Sequence, residues 1–309
     1  MSPVFLVAAR RSGTTLLRLI LNGHPDVLWH HGWEPVADAI QALTGSTQST
    51  TAVKVEGLDF IAANSAKELE AKINENVAQV LCAEKKAIFG ATVHIGFCQL
   101  PKIWPNARFI HLVRDPRDIA VSNMKLGWAG HEYGSASSWV DAEYEWEKIR
   151  PILNEANYIE ISYEELVTNP RSEVERLCDF LTIPYNESVF SYTETSTYSY
   201  PKKELAHRWK KKLNKREVQL IEYGLNELMK IRGYNPEYEP IELSLTQKIL
   251  FRQISEMKRR QMAIRDYGVL HILLRKIANI SGIESLKKIT ERNERKKREK
   301  RIEDLEKGY

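Results

Sequence analysis

Residues 5–17 read FLVAARRSGTTLL, and the fold turns on how this stretch is read. Residues 3–8 form a short apolar run rich in strand formers, the composition of a buried parallel strand. Ser12, Gly13, Thr14 and Thr15 break the run. Over 14–22 the pattern becomes helical, with Leu16, Leu17, Leu19, Ile20 and Leu21 supplying more than one apolar face, and Gly23 and Pro25 mark its end. Strand, glycine turn and helix in that order aim backbone N–H groups and a helix dipole at an anion. Arg11 adds a permanent charge, and the hydroxyls of Ser12, Thr14 and Thr15 add donors. A phosphate-like ligand is therefore expected. The competing reading is an ordinary strand-to-helix turn that binds nothing.

The common nucleotide loop, G-x-x-x-x-G-K-[ST], carries a lysine and a leading glycine that this stretch lacks. That argues against a standard ATPase or GTPase. Composition narrows the choice further. At 309 residues and 43% hydrophobic, the chain can bury a sizeable core of one ordinary domain plus an extension. The net charge of +4 is unevenly placed. Residues 241–309 hold 18 Lys/Arg against 10 Asp/Glu, whereas residues 1–240 hold 27 against 31. The expected division is thus a domain over 1–240 and a basic helical extension over 241–309. Three widely spaced cysteines, Cys82, Cys98 and Cys178, form neither a disulfide framework nor a zinc ribbon, which fits a reducing compartment. With no evident signal peptide and no segment approaching 18 uncharged apolar residues, a soluble cytoplasmic protein is expected.

Further along the chain, strand patterns at 87–90, 108–113 and 158–162 alternate with helical patterns. The helices are expected at 33–43, 66–83, 116–126, 139–154, 163–167, 170–181 and 215–230. Residues 24–35 and 44–52 read as loops. Alternating strands and helices imply an α/β fold, a parallel sheet flanked by helices. The extension reads as three more helices, over 245–264, 269–280 and 284–306. The last is dense in charge, which suits a solvated helix with ion pairs four residues apart. A partner helix, a second copy of the chain in a homo-oligomer, or an anionic membrane surface is the alternative. Few aromatics occur there, so nucleic acid is not expected as a partner.

A second anion signal lies in 106–124, NARFIHLVRDPRDIAVSNM. Arg114 follows the apolar strand at its carboxyl edge, where α/β folds bind ligands, and Ser122 falls about two turns into the next helix. Arg and Ser together suit a phosphate. A local ion pair of Arg114 with Asp118 is the competing reading.

RRSGTTLL taken together with HLVRDPRDIAVS resembles the 3'-phosphoadenosine 5'-phosphosulfate (PAPS) dependent sulfotransferases. SYEELVTNP, RLCDFLTIPY, RWKKKL and RGY are similar to later segments of that family, so the resemblance spans about 1–235 and leaves the tail outside it. It implies the P-loop-like sulfotransferase fold and PAPS as sulfuryl donor, with no metal. It implies that Arg11, Ser12, Gly13, Thr14, Thr15 and Leu16 hold the phosphosulfate, with Arg11 stabilising charge on the transferring group. Arg114 and Ser122 are implied at the 3'-phosphate and Tyr163 near the nucleotide. Lys202 and Arg208 fall near the family's later cofactor segment. The acceptor would be a hydroxyl, less readily an amine, on a glycan, lipid, small molecule or peptide tyrosine.

Two residues compete as the base that takes the acceptor proton. His94 stands seven residues before Pro101, the spacing of the catalytic histidine in cytosolic relatives, and histidine titrates near neutrality. The lysine that many relatives carry two residues earlier is Thr92 here. Glu34, in HHGWEP, lies close to the glutamate base of the tyrosine-modifying and some glycan-modifying branches, offset by about two residues. Trp29, Trp33, Trp128 and Trp139 could stack on an acceptor or belong to the core. Residues 126–139, LGWAGHEYGSASSW, read as a mobile loop. Two other readings stay open: a small-molecule or nucleotide kinase needing ATP and magnesium, and a non-catalytic nucleotide-binding module.

Overall fold

The structure, a computed structural model, describes residues 2–45, 50–55, 57–281, 283, 285–287, 289–294 and 297. In chain order it runs β1 (Val4–Val7), α1 (Thr14–Asn22), β2 (Val27–His30), α2 (Glu34–Thr44), β3 (Thr51–Val53), β4 (Ile61–Ala63) and α3 (Ala66–Glu84). Then come β5 (Ile88–Val93), β6 (Arg108–Val113), α4 (Pro116–Leu126), α5 (Ser137–Ile149), β7 (Tyr158–Ser162), α6 (Tyr163–Thr168), α7 (Pro170–Leu181) and α8 (Tyr192–Thr195). The last are α9 (Lys215–Glu222), α10 (Asn226–Ile231), α11 (Leu245–Tyr267) and α12 (Val269–Ser281). Two compact units result. One comprises Met1–Asp115 and Ser138–Ala206, the other Pro116–Ser137 and His207–Tyr309. The change of charge near residue 240 falls inside the second unit.

The first unit is built on a five-stranded sheet in the order β2-β5-β1-β6-β7. Every pairing in it is parallel, with Val4 opposite both Gly90 and Arg108. Alternation along the central strand sends Val4, Leu6 and Ala8 into a core with Leu17 and Ile20 of α1 and with Leu166, Leu177 and Leu181 of α6 and α7. Phe5 points to the other face, where it meets Trp33, Trp104 and Phe109 at ring separations of 5.5–6.1 Å. Both faces are therefore apolar, as a parallel sheet requires. The carboxyl ends of β1, β5 and β6 share one edge, and the loops that leave them carry the candidate site.

Several local expectations need correction. The loop expected at 24–35 contains β2: Val27 and Trp29 face inward in alternation, and Trp29 lies over Gly90, where any Cβ would collide with its ring. A small antiparallel pair, β3 with β4, appears where no strand was expected. The helix expected at 215–230 is two, since the chain breaks at Gly224 with φ +78°. The third tail helix expected at 284–306 is helical at 285–287 and 289–294, and most of the remainder lies outside the described residues. So do residues 46–49 of the expected 44–52 loop.

The second unit packs α4 against α9 and against the 208–211 turn. Asp118 Oδ1 accepts the Trp209 backbone N–H at 2.8 Å, and the buried pair Arg117–Glu222 closes at 2.8 Å. Residues 126–137 of the expected mobile loop are packed in this unit: the His131 ring stacks on Phe251 at 4.5 Å and Asn123 Nδ2 donates to the Ser135 carbonyl at 2.9 Å.

Candidate active site

The loop after β1 is shaped by two left-handed residues, Arg11 (φ 73°) and Gly13 (φ 97°), and closed by the Ser12 N–H donating to the Ala9 carbonyl at 3.2 Å. Gly13 is the N-cap of α1. No side chain caps that helix and its first turn holds no acidic residue. The N–H groups of Thr14, Thr15 and Leu16 therefore have no acceptor within the helix. Ser12 is 1% exposed, and its Oγ has no hydrogen-bond partner among the described residues. Buried donors without a carboxylate are suited to an anion such as a phosphosulfate.

Tyr163, the buried first residue of α6, explains the glycine. A Cβ on Gly13 would strike its ring. Arg114, at the end of β6, lies 4.1 Å above the same ring, and its Nη1 donates to the Arg11 carbonyl at 3.0 Å. Arg11, Gly13, Arg114 and Tyr163, distant in sequence, thus form one clamp around the loop. Lys202 is exposed and belongs to the first unit. Ser122, buried on α4, and Arg208, half-buried in the 208–211 turn, belong to the second unit.

The two candidate bases lie together. His94, just beyond β5, is half-buried, and its backbone N–H donates to Glu34 Oε1 at 3.2 Å. Glu34 opens α2 and has Arg10 Nη2 at 3.9 Å. The His94 Nδ1 lies 3.0 Å from the Ala8 carbonyl oxygen. A carbonyl can only accept, so Nδ1 carries the hydrogen and Nε2 keeps its lone pair. Burial pushes the ring below the ordinary histidine pKa. Arg10 and Arg11 push the same way, while the bond to Ala8 and the charge of Glu34 oppose them. The balance favours the neutral ring, the form a proton acceptor needs.

Thr92, where the resemblance leads one to expect lysine, is buried. Its Oγ1 accepts the Trp29 Nε1–H at 3.0 Å and its carbonyl accepts the Trp33 N–H at 3.3 Å. Trp29, Trp33 and Trp139 are core residues, whereas Trp128 is half-buried in the second unit.

Two participants escaped the sequence reading. Arg10 stands beside Arg11 in the sequence with nothing local to set it apart. Glu145 of α5 accepts from the N–H groups of Gly96 (3.2 Å) and Cys98 (2.8 Å), pinning the turn that follows His94. No local pattern marks it, because its partners are about 50 residues away in the chain.

Residues 3–187 match a family model described as Sulfotransferase family. A protein-tyrosine sulfotransferase of Drosophila melanogaster is 26% identical over 211 residues, covering 62% of this chain and 40% of its own. Protein-tyrosine sulfotransferase 1 of Danio rerio is 27% identical over 206 residues, covering 62% and 56%. The match thus spans about half the length of these relatives. Among solved structures, the sulfotransferase domain from the curacin biosynthetic pathway superposes with a TM-score of 0.53 at 18% identity, over 76% of this chain and 98% of that domain. That likeness bears on the fold: a parallel sheet flanked by helices, of the P-loop-like sulfotransferase kind.

Proposed function

Because the chain belongs to the sulfotransferase family, we propose that it transfers a sulfuryl group from PAPS to a hydroxyl acceptor, with His94 as general base. The single observation that carries the choice of base is the bond from His94 Nδ1–H to the Ala8 carbonyl, which leaves Nε2 as the acceptor. When bound, PAPS would supply a sulfuryl group whose bond to the 5'-phosphate oxygen breaks as the bond to the acceptor oxygen forms, releasing adenosine 3',5'-bisphosphate.

The protein's part is positioning and charge. The N–H groups of Thr14, Thr15 and Leu16 and the Ser12 hydroxyl would hold the anion, and the Arg11 guanidinium would oppose charge building on the leaving oxygen. Arg114 keeps the loop in shape through the Arg11 carbonyl and stays beside Tyr163 as a cation for the nucleotide. His94 Nε2 takes the acceptor proton as the new bond forms. Glu34 fixes the His94 backbone and neutralises the Arg10 side of the site. The hydroxyl of a peptide tyrosine is the first acceptor to test, in view of the names of the curated relatives. Three free thiols among the described residues suit a reducing, cytoplasmic setting.

The test is transfer of label from [35S]PAPS to tyrosine peptides, glycans and small phenols, with ATP and magnesium in a parallel arm. His94→Gln should lower kcat by about 10²–10⁴-fold and abolish its acid limb, while Glu34→Gln retains most of the rate. A full rate in His94→Gln and a dead Glu34→Gln would transfer the base to Glu34. Phosphoryl transfer from ATP without any use of PAPS would overturn the reading.

A further inference from the structure

Helix α12, VLHILLRKIANIS, is amphipathic in an unusual sense: its apolar side faces outward. At 3.6 residues per turn, Val269, Ile280, Leu273, Ile277, Leu270 and Leu274 fall on one continuous arc of about 140°. All six are exposed, from 38% at Leu274 to 78% at Ile280. The opposite side is the one that packs. Ala278 is fully buried, His271 stacks on Tyr267 at 5.4 Å, and His271 and Arg275 both reach Glu294, at 3.2 and 3.0 Å. The helix is therefore fixed in rotation with its greasy arc outward, and an exposed apolar patch of this size marks an interaction surface.

Charge decides what fits it. Helix α12 carries Arg275 and Lys276 and no acidic residue, and residues 245–281 hold eight Lys/Arg against two Asp/Glu. A second copy would bring two such net-positive segments together. A bilayer rich in anionic lipid offers apolar depth and negative charge at once. No described helix is long and apolar enough to cross a membrane, and thirteen residues span only about 20 Å. We propose that α12 lies in the surface of an anionic membrane, with Leu273 and Ile277 at the centre of the buried arc and Lys276 and its basic neighbours at the phosphate level.

The full chain is floated with vesicles of phosphatidylcholine alone and of phosphatidylcholine with about 30% phosphatidylserine. Binding is expected to the anionic vesicles, and it should weaken several-fold as sodium chloride rises from about 0.1 to 0.5 M. The double variant Leu273→Glu/Ile277→Glu should lose about ten-fold or more in partitioning. Should it fold poorly by circular dichroism, Leu270→Gln/Ile280→Gln, the two most exposed residues of the arc, serves in its place. Ile277→Trp should shift its emission to the blue with anionic vesicles only. Equal binding to both vesicle types, or unchanged binding by folded arc variants, would overturn the proposal. So would a dimer in sedimentation velocity that the arc variants split while vesicles go unbound.

Discussion

Gly13 shows how much one position can carry. It has φ 97° and the Tyr163 ring against its Cα, so Gly13→Ala meets both a disfavoured backbone region and a collision. A loss of about 1–3 kcal/mol is expected in urea unfolding, together with weaker anion binding at the loop. His94 makes a different prediction, in pH. Its pKa is below the ordinary value of 6.5 in the folded chain, so between that lowered value and about 6.5 the unfolded chain binds more protons. The contribution to stability is whole above pH 6.5 and is lost as pH falls through the folded pKa. His94→Gln should flatten that acid loss in a denaturation series at stepped pH, and a slope equal to the parent's would sink the assignment. Glycine and serine were legible as candidates from the strand–turn–helix pattern, and the histidine through the family resemblance. The reason for the glycine was not, because Tyr163 reaches it only through the fold.

The elements that frame the site were mostly legible because they are periodic and well punctuated. Residues 14–22, 108–113, 158–162 and 170–181 form as their patterns dictate, with Gly23 or Pro170 at a boundary. What escaped was short or decided elsewhere. β2 has four residues and two of them are half-exposed, too little for a period to register. The turn after β5 is held by Glu145, on α5. Glu145→Ala removes the acceptor for two N–H groups, and a loss of about 1–3 kcal/mol is expected in urea unfolding. Glu145→Gln keeps an amide oxygen there and should recover part of it. Equal stability of the alanine variant and the parent would show that water replaces the carboxylate at no cost.

For the molecule as a whole, ligand linkage gives the clearest expectation. Adenosine 3',5'-bisphosphate at a hundred times its dissociation constant should add about 2.7 kcal/mol to the folded state. Arg114→Ala should remove most of that gain, and ATP with magnesium should not reproduce it. A thermal shift series with the three ligands measures this directly. An ATP–magnesium response with none to the bisphosphate would count for a kinase. At this scale the sequence offers composition alone. The shift to positive charge near residue 240 reports a surface property, while the two units are assembled by packing: residues 116–137 join residues 207–309 across a long gap in the chain. Composition along a chain carries no record of such discontinuous assembly.

The Ala8 carbonyl has a consequence for observing this protein at work. It belongs to the segment leading into the loop proposed to hold the anion, and it also decides which nitrogen of His94 bears hydrogen. A ligand that shifts the loop by a fraction of an ångström alters that bond, and the ring registers the change. The 15N chemical shifts of a selectively labelled His94 therefore form a built-in gauge of occupancy at the proposed donor site, readable before any acceptor has been identified.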